Sequence, residues 1–277
     1  MRFVIYGAGA IVLLTVAVAL GAAAVWNRDS ERLVDELLSR SGAIRGNPPE
    51  ELESLPDPVA RYLRGVLVGE PARFGSGRLT QVGQIRLDSS EKSWRPFRAT
   101  QHVAFDPPGF VWDARIRMAP LTSVRVRDAY VSGSGSMRVK LLSLVTLVNE
   151  HAKQELSRGA LQRYLAEAVW FPAALLPSET LRWQAIDAHH ARATLSDSGI
   201  EVSATFQFND DAEIIGVLAE RYREVDGNYV LTPWQGRFRD YTSEPDARIP
   251  REGEVAWILP EGELIYWRGR IVEREIR

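Results

Sequence analysis

From Trp112 to Met118 apolar and charged residues alternate at every step. A side-chain period of two belongs to an extended strand. It puts Phe110, Trp112, Ala114, Ile116 and Met118 on one face and Asp113, Arg115 and Arg117 on the other. Ile200-Val202-Ala204-Phe206-Phe208 alternates with Glu201, Ser203, Thr205 and Gln207 in the same way. Such runs mark an antiparallel sheet with one apolar face and one wet face. Phe110, Trp112, Ile116, Phe206 and Phe208 are therefore predicted to share one interior. Weaker runs of this kind cover 94–105, 123–130, 191–196, 214–224, 228–241, 253–259 and 265–275. Turn signals separate them at Pro107-Pro108-Gly109, Asp197-Ser198-Gly199, Asn209-Asp210-Asp211 and Asp226-Gly227. Gly133-Ser134-Gly135-Ser136-Met137 is glycine-rich without phosphate-binding spacing and reads as a turn.

The middle of the chain breaks the pattern. Leu141 to Val148 is densely apolar, and Leu161, Tyr164, Leu165, Ala168 and Val169 recur at helical spacing. Pro172 ends that helix, and Arg163 and Glu167 form an i,i+4 pair on its other side. The order is strands, an apolar helical insert over 141–177, then strands. This predicts an α+β fold: a large curved antiparallel sheet, half-barrel-like, packed on a central helix. The helix near 159–171 is expected against the concave face, because its apolar flanks make a poor surface. Two short helices are expected ahead of the sheet. Asp29 and Ser30 cap the first, which carries Leu33, Val34, Leu37 and Leu38 and ends at Gly42. Asp57-Pro58 starts the second, which carries Val59, Tyr62, Leu63, Val66 and Leu67. Arg45 to Pro49 reads as a linker.

Phe3 to Trp26 contains no charged residue and exceeds the roughly 20 residues that cross a bilayer as a helix. Tyr6 and Trp26 stand near its ends, where interfacial aromatics are enriched. The expectation is an N-terminal transmembrane helix, so that residues 3–26 make the lipid bilayer a partner. Ala22-Ala23-Ala24 leaves a cleaved signal peptide as the alternative, and a buried helix as another. Arg2 favours an N-terminus inside, while Arg28, Arg32, Arg40 and Arg45 count the other way. A single-pass cell-membrane protein with an extracytoplasmic domain is the expectation. The organisation is then an anchor over 1–27, a helical segment and linker over 28–68, and a β-rich domain over 69–277.

The absence of cysteine excludes disulfides, thiolate metal sites and thiol catalysis. A net charge of −2 gives no basic field for nucleic acid. Lys92, Lys140 and Lys153 are the only lysines, so arginine supplies the rest of the 34 basic charges. There is no Walker loop, nucleophile elbow or H-E-x-x-H, and no cofactor or metal site is expected. The four histidines are scattered, and His189 and His190 would point to opposite faces of a strand.

Seven tryptophans lie beyond Trp26: Trp94, Trp112, Trp170, Trp183, Trp234, Trp257 and Trp267. Large aromatics line concave apolar pockets and equally fill packed cores. Trp112, Tyr164, Leu165, Trp170, Trp183 and Trp234 are the candidates for a ligand-binding wall. Arg127 and Arg268, beside acids and aromatics, are candidates for holding an anionic head group. The alternative for such arginines is cross-strand ion pairing on a wet face.

Pro107-Pro108-Gly109-Phe110-Val111-Trp112-Asp113-Ala114-Arg115, Arg163-Tyr164-Leu165-Ala166-Glu167-Ala168-Val169-Trp170-Phe171-Pro172, Pro233-Trp234-Gln235-Gly236, Gly253-Glu254-Val255-Ala256-Trp257 and Tyr266-Trp267-Arg268-Gly269 resemble an uncharacterised family of bacterial membrane-anchored proteins. That resemblance implies no catalytic residues. The element order is similar to the half-barrel lipoprotein and lipid carriers of the bacterial envelope, in which a curved sheet wraps an apolar helix. Three functions stay open. One is a membrane-anchored half-barrel binding a lipid or other apolar small molecule. Another is a structural or interaction protein with a filled core and unknown protein partners. The third is a hydrolase using a carboxylate such as Asp113, Asp128, Glu167 or Asp240.

Overall fold

The computed structural model describes residues 2–43, 52–67, 75–87, 90, 93–120 and 122–277, with side chains from residue 17 onward in the first helix. The expected linker at 45–49 and the side chain of Tyr6 lie outside this set. Helix α1 spans Arg2–Ser39, and helix α2 spans Asp57–Val66. Six strands follow: β1 (Ser76–Arg86), β2 (Trp94–Ala104), β3 (Gly109–Ala119), β4 (Thr122–Val131), β5 (Ser134–Leu141) and β6 (Val145–His151). Helix α3 (Gln154–Glu167) and two 3-10 turns, Ala168–Trp170 and Pro172–Leu175, lead into the second set. That set is β7 (Leu181–Ala185), β8 (His190–Asp197), β9 (Ile200–Phe208), β10 (Ile214–Val225), β11 (Asn228–Ser243), β12 (Arg248–Leu259) and β13 (Gly262–Ile276).

All thirteen strands join one antiparallel sheet, ordered β6-β5-β4-β3-β2-β1-β13-β12-β11-β10-β9-β8-β7. The chain steps outward from β1 to the β6 edge, crosses by α3 to the β7 edge, and steps back until β13 pairs with β1. The link between the two edges must therefore cross a face of the sheet. The sheet curls around it: Tyr130 of β4 donates to Asp197 of β8 at 2.7 Å, although these strands lie far apart in the sheet order. Leu161, Tyr164, Leu165, Ala168 and Val169 are all buried on the concave side. So are Phe110, Trp112, Ile116, Phe206 and Phe208, while Arg115, Arg117 and Glu201 are exposed, as the alternation requires. Gly77 of β1 is needed for close approach, because a Cβ there would overlap the Phe171 ring.

Several expectations are corrected. The segment after Trp26 is not a separate capped helix. Nothing between Trp26 and Leu33 breaks the helical ladder, and α1 runs unbroken to Ser39. Trp26, Ser30, Leu33, Val34 and Leu37 recur on one face of it and dock on the convex side of β2–β4. Trp26 is thus not at a helix end facing lipid. It is buried, and its Nε1 donates to Asp113 at 2.7 Å. The outer face of β3 is correspondingly covered at Asp113 rather than wet. Among the described residues no helix is long and apolar enough to cross a membrane, and the side chains of the first half of the uncharged run lie outside them. The first part of the expected helical insert is strand: Leu141 to Val148 belongs to the β5–β6 hairpin, and helix begins at Gln154. Ser134 to Met137, read as a turn, opens β5.

Candidate functional site

Strands β9 and β10 pair only from Phe208/Ile214 to Thr205/Leu218. Beyond that point β9 stays with β8 and β10 stays with β11, and the two sides part. A register shift falls between Ile214 and Gly216, at the paired end. Helix α3 serves the freed edges. Gln162 Nε2 donates to the Ser203 carbonyl at 2.8 Å, and Arg221 Nη2 donates to the Gly159 carbonyl at 2.9 Å. The Ser203 carbonyl of β9 is thus answered by a side chain of α3, and β10 is tied to the helix through the Arg221 side chain.

The result is a cleft of about 620 Å³. Val202, Ala204, Ala219 and Trp234 give it apolar wall, and Arg158, Arg192, Glu201 and Glu220 give it a charged rim. The Arg221 guanidinium lies 4.8 Å from the Trp234 ring centre and steadies it. Trp234 Nε1 donates to Tyr266 at 2.9 Å, so its ring is held at both ends. On the rim, hydrogen bonding from Arg182 holds the Glu201 carboxyl below its ordinary value. Arg192 makes no ion pair among the described residues. The cleft can therefore take an apolar group against Trp234 and an anionic group at its mouth.

Beneath the C-terminal end of α3 the described interior is nearly full. The void beside Tyr164, Glu167 and Trp170 measures about 10 Å³, no more than one water's worth of space. A hydrogen-bond chain pins α3 to the floor: Trp112 Nε1 donates to Gln81 at 2.8 Å, Gln81 to Gln101 at 3.2 Å, and Gln101 to Glu167 at 2.7 Å. Arg163 then joins Glu167 at 2.8 Å to Asp128 at 2.7 Å. Burial opposes the Arg163 charge, but Glu167 and Asp128 outweigh it and hold the group above the ordinary arginine value. Each carboxylate considered for hydrolysis is held by an arginine: Asp113 by Arg125, Asp128 and Glu167 by Arg163, and Asp240 by Arg270.

Of the residues proposed for a binding wall, Trp234 alone lines the cleft. Trp112, Tyr164, Leu165 and Trp170 converge in the filled core instead. Trp183 flanks it, with Nε1 on the Leu175 carbonyl and its ring 5.2 Å from Phe206. Arg127 is on the convex face, where Nη1 donates to Ser30 at 2.7 Å. Arg268 is also on that face, bonded to Gln84 and lying over Trp94. Arg158, Gln162, Arg192 and Ala219 were missed. A faint signal existed for the Arg221 contact: Val217, Ala219 and Arg221 share one parity, which sets an arginine among inward positions.

Residues 47–269 match a family of unknown function, DUF6544. The chain belongs to this family. The expected likeness to an uncharacterised family is therefore shown, and over most of the chain. No curated protein matches this DUF6544 member. Among solved structures it is similar to a LolA superfamily protein from Nitrosomonas europaea, at 9% identity and a TM-score of 0.43, covering 79% of this chain and 92% of that one. It is also similar to a beta-barrel-like protein of a domain of unknown function, DUF1849, from Brucella abortus, at 11% identity and a TM-score of 0.24. That likeness covers 74% of this chain and 98% of the other.

Proposed function

We propose that this DUF6544 protein is a membrane-anchored half-barrel that holds one amphipathic, mainly apolar ligand in the cleft between β9 and β10. The observation that carries the reading is the cleft itself. A volume of about 620 Å³ lies within the roughly 300–1,000 Å³ of ordinary small-molecule sites. An acyl or ring group would lie on Trp234 and Ala219, with its polar end at Arg158 and Arg192. Each buried CH₂ contributes about 0.8 kcal/mol before the costs of ordering the ligand. In this reading the anchor is the uncharged run from Phe3 up to the docked Trp26, and the domain lies outside the cytoplasm at the cell membrane.

Tryptophan emission of the full chain in detergent, titrated with brominated fatty acid, tests this. Saturable quenching is expected, with its amplitude reduced in Trp234→Phe. Quenching that never saturates, or that is unchanged in Trp234→Phe, contradicts the reading. A second reading, an interaction protein without ligand, is favoured by the filled centre beneath α3, where only about 10 Å³ is empty.

A further inference from the structure

The convex face of β2–β5 carries four cations in register. Arg98 stands opposite Arg115, Arg115 opposite Arg125, and Arg125 opposite Lys140. Like charges placed directly across neighbouring strands destabilise a sheet. Asp113 answers only one of them, taking Arg125 at 2.9 Å, and its other oxygen is used by Trp26 and Ser30. Arg98, Arg115 and Arg117 are exposed and make no ion pair among the described residues. With Thr122 and Ser123 they wall a hollow of about 410 Å³. A row of this kind is suited to an anion supplied from outside the chain.

An apolar tip adjoins the row. The β5–β6 turn packs beside Ser123, with the Leu142 amide donating to the Ser123 carbonyl at 2.9 Å, while Arg115 Nε donates to the Ser123 hydroxyl at 3.1 Å. At that tip Leu142, Leu144, Val145 and Leu147 are 42%, 39%, 57% and 56% exposed. The direction of α1 says what they face. Gly109 of β3 lies under Leu37, and Asp113 lies under Trp26 and Ser30. Moving along β3 toward Arg115 and Arg117 is therefore moving back along α1 toward its exposed Val25, Leu20 and Val18.

We propose that the arginine row of β2–β5 and the leucine tip of the β5–β6 hairpin together dock on an anionic bilayer, the arginines on lipid phosphates and the tip in the acyl boundary. This rests on reading the uncharged run ahead of the docked Trp26 as the membrane segment. Cations at head-group depth above apolar side chains are the pattern of an interfacial anchor.

The chain has no native cysteine, so a single introduced one takes a single label. The full chain is placed in nanodiscs of phosphatidylcholine, or of equimolar phosphatidylcholine and phosphatidylglycerol. An environment-sensitive fluorophore is carried at Leu144→Cys, at Val18→Cys, or at the distant Ser243→Cys. Blue-shifted emission quenched by doxyl lipid is expected at Leu144 and Val18 and not at Ser243. The immersed fraction at Leu144 should rise with phosphatidylglycerol. Arg115→Gln and Arg117→Gln, both on the exposed face, should lower that preference by roughly fivefold each. Water-like emission at Leu144 in both lipids overturns the proposal even when Val18 is immersed. Water-like emission at Val18 overturns the anchor reading instead. Immersion at Leu144 that ignores lipid charge and both arginine variants overturns the arginine row's part.

Discussion

Arg163 joins β4 to α3 through Asp128 and Glu167, and it lies 5.0 Å from the rings of both Phe110 and Trp112. It was legible in the sequence as half of an i,i+4 pair with Glu167, on the side of the helix away from its apolar stripe. The structure turns that face toward the sheet, because the helix has sheet on more than one side. Asp128 was unreadable as its partner, being the neighbour of Arg127 in sequence yet on the opposite face of β4. Removing the guanidinium leaves two largely buried carboxylates without a cation. Arg163→Met is therefore expected to cost about 3–5 kcal/mol, read as a lower urea midpoint with an unchanged slope. A loss below about 1 kcal/mol would mean that water already serves those carboxylates.

The largest correction at the scale of elements concerns α1. Asp29 and Ser30 carry the chemistry of an N-cap, and the sequence around them reads as a fresh helix start. Inside a continuous helix their side chains are free for other work. Asp29 meets Arg138 at 3.3 Å, and Ser30 donates to Asp113 at 2.6 Å. The strands were more legible, because one apolar face suffices to show a period of two. Leu141 to Val148 misled because a continuous apolar run does not separate strand from helix. The tip of that hairpin is apolar without being buried. Asp113→Ala removes the acceptor for Trp26, Ser30 and Arg125 together. Hydrogen exchange over residues 17–39 should then quicken by about tenfold or more, corresponding to at least ~1.4 kcal/mol of lost docking, while β9–β12 keep their protection. Equal quickening throughout would mean that α1 is an integral part of the domain's cooperative unit.

Across the whole molecule, the two outer strands are tied by α3 over the concave face, and that crossing explains both the filled centre and the open side. Where α3 meets β3–β5 the floor is packed with Trp112, Tyr164 and Leu165. Where it meets β9 and β10, Gln162 bonds the Ser203 carbonyl of β9 and Arg221 of β10 bonds the Gly159 carbonyl of the helix, tying each strand to α3. The alternation is clean in β9 and weak in β10, and neither run by itself encodes this parting. The groups that line the parting include a helix some forty residues earlier in the chain, which is why Trp234 was legible as an aromatic and the cleft was not. The central claim is that this space is occupied. Native mass spectrometry of the detergent-extracted full chain should show a species carrying one bound apolar molecule. In Ala219→Trp, where an indole fills the cleft, that species should be lost while the bare protein remains folded. A wild-type spectrum with only the bare mass, or an adduct that persists in Ala219→Trp, would contradict the account.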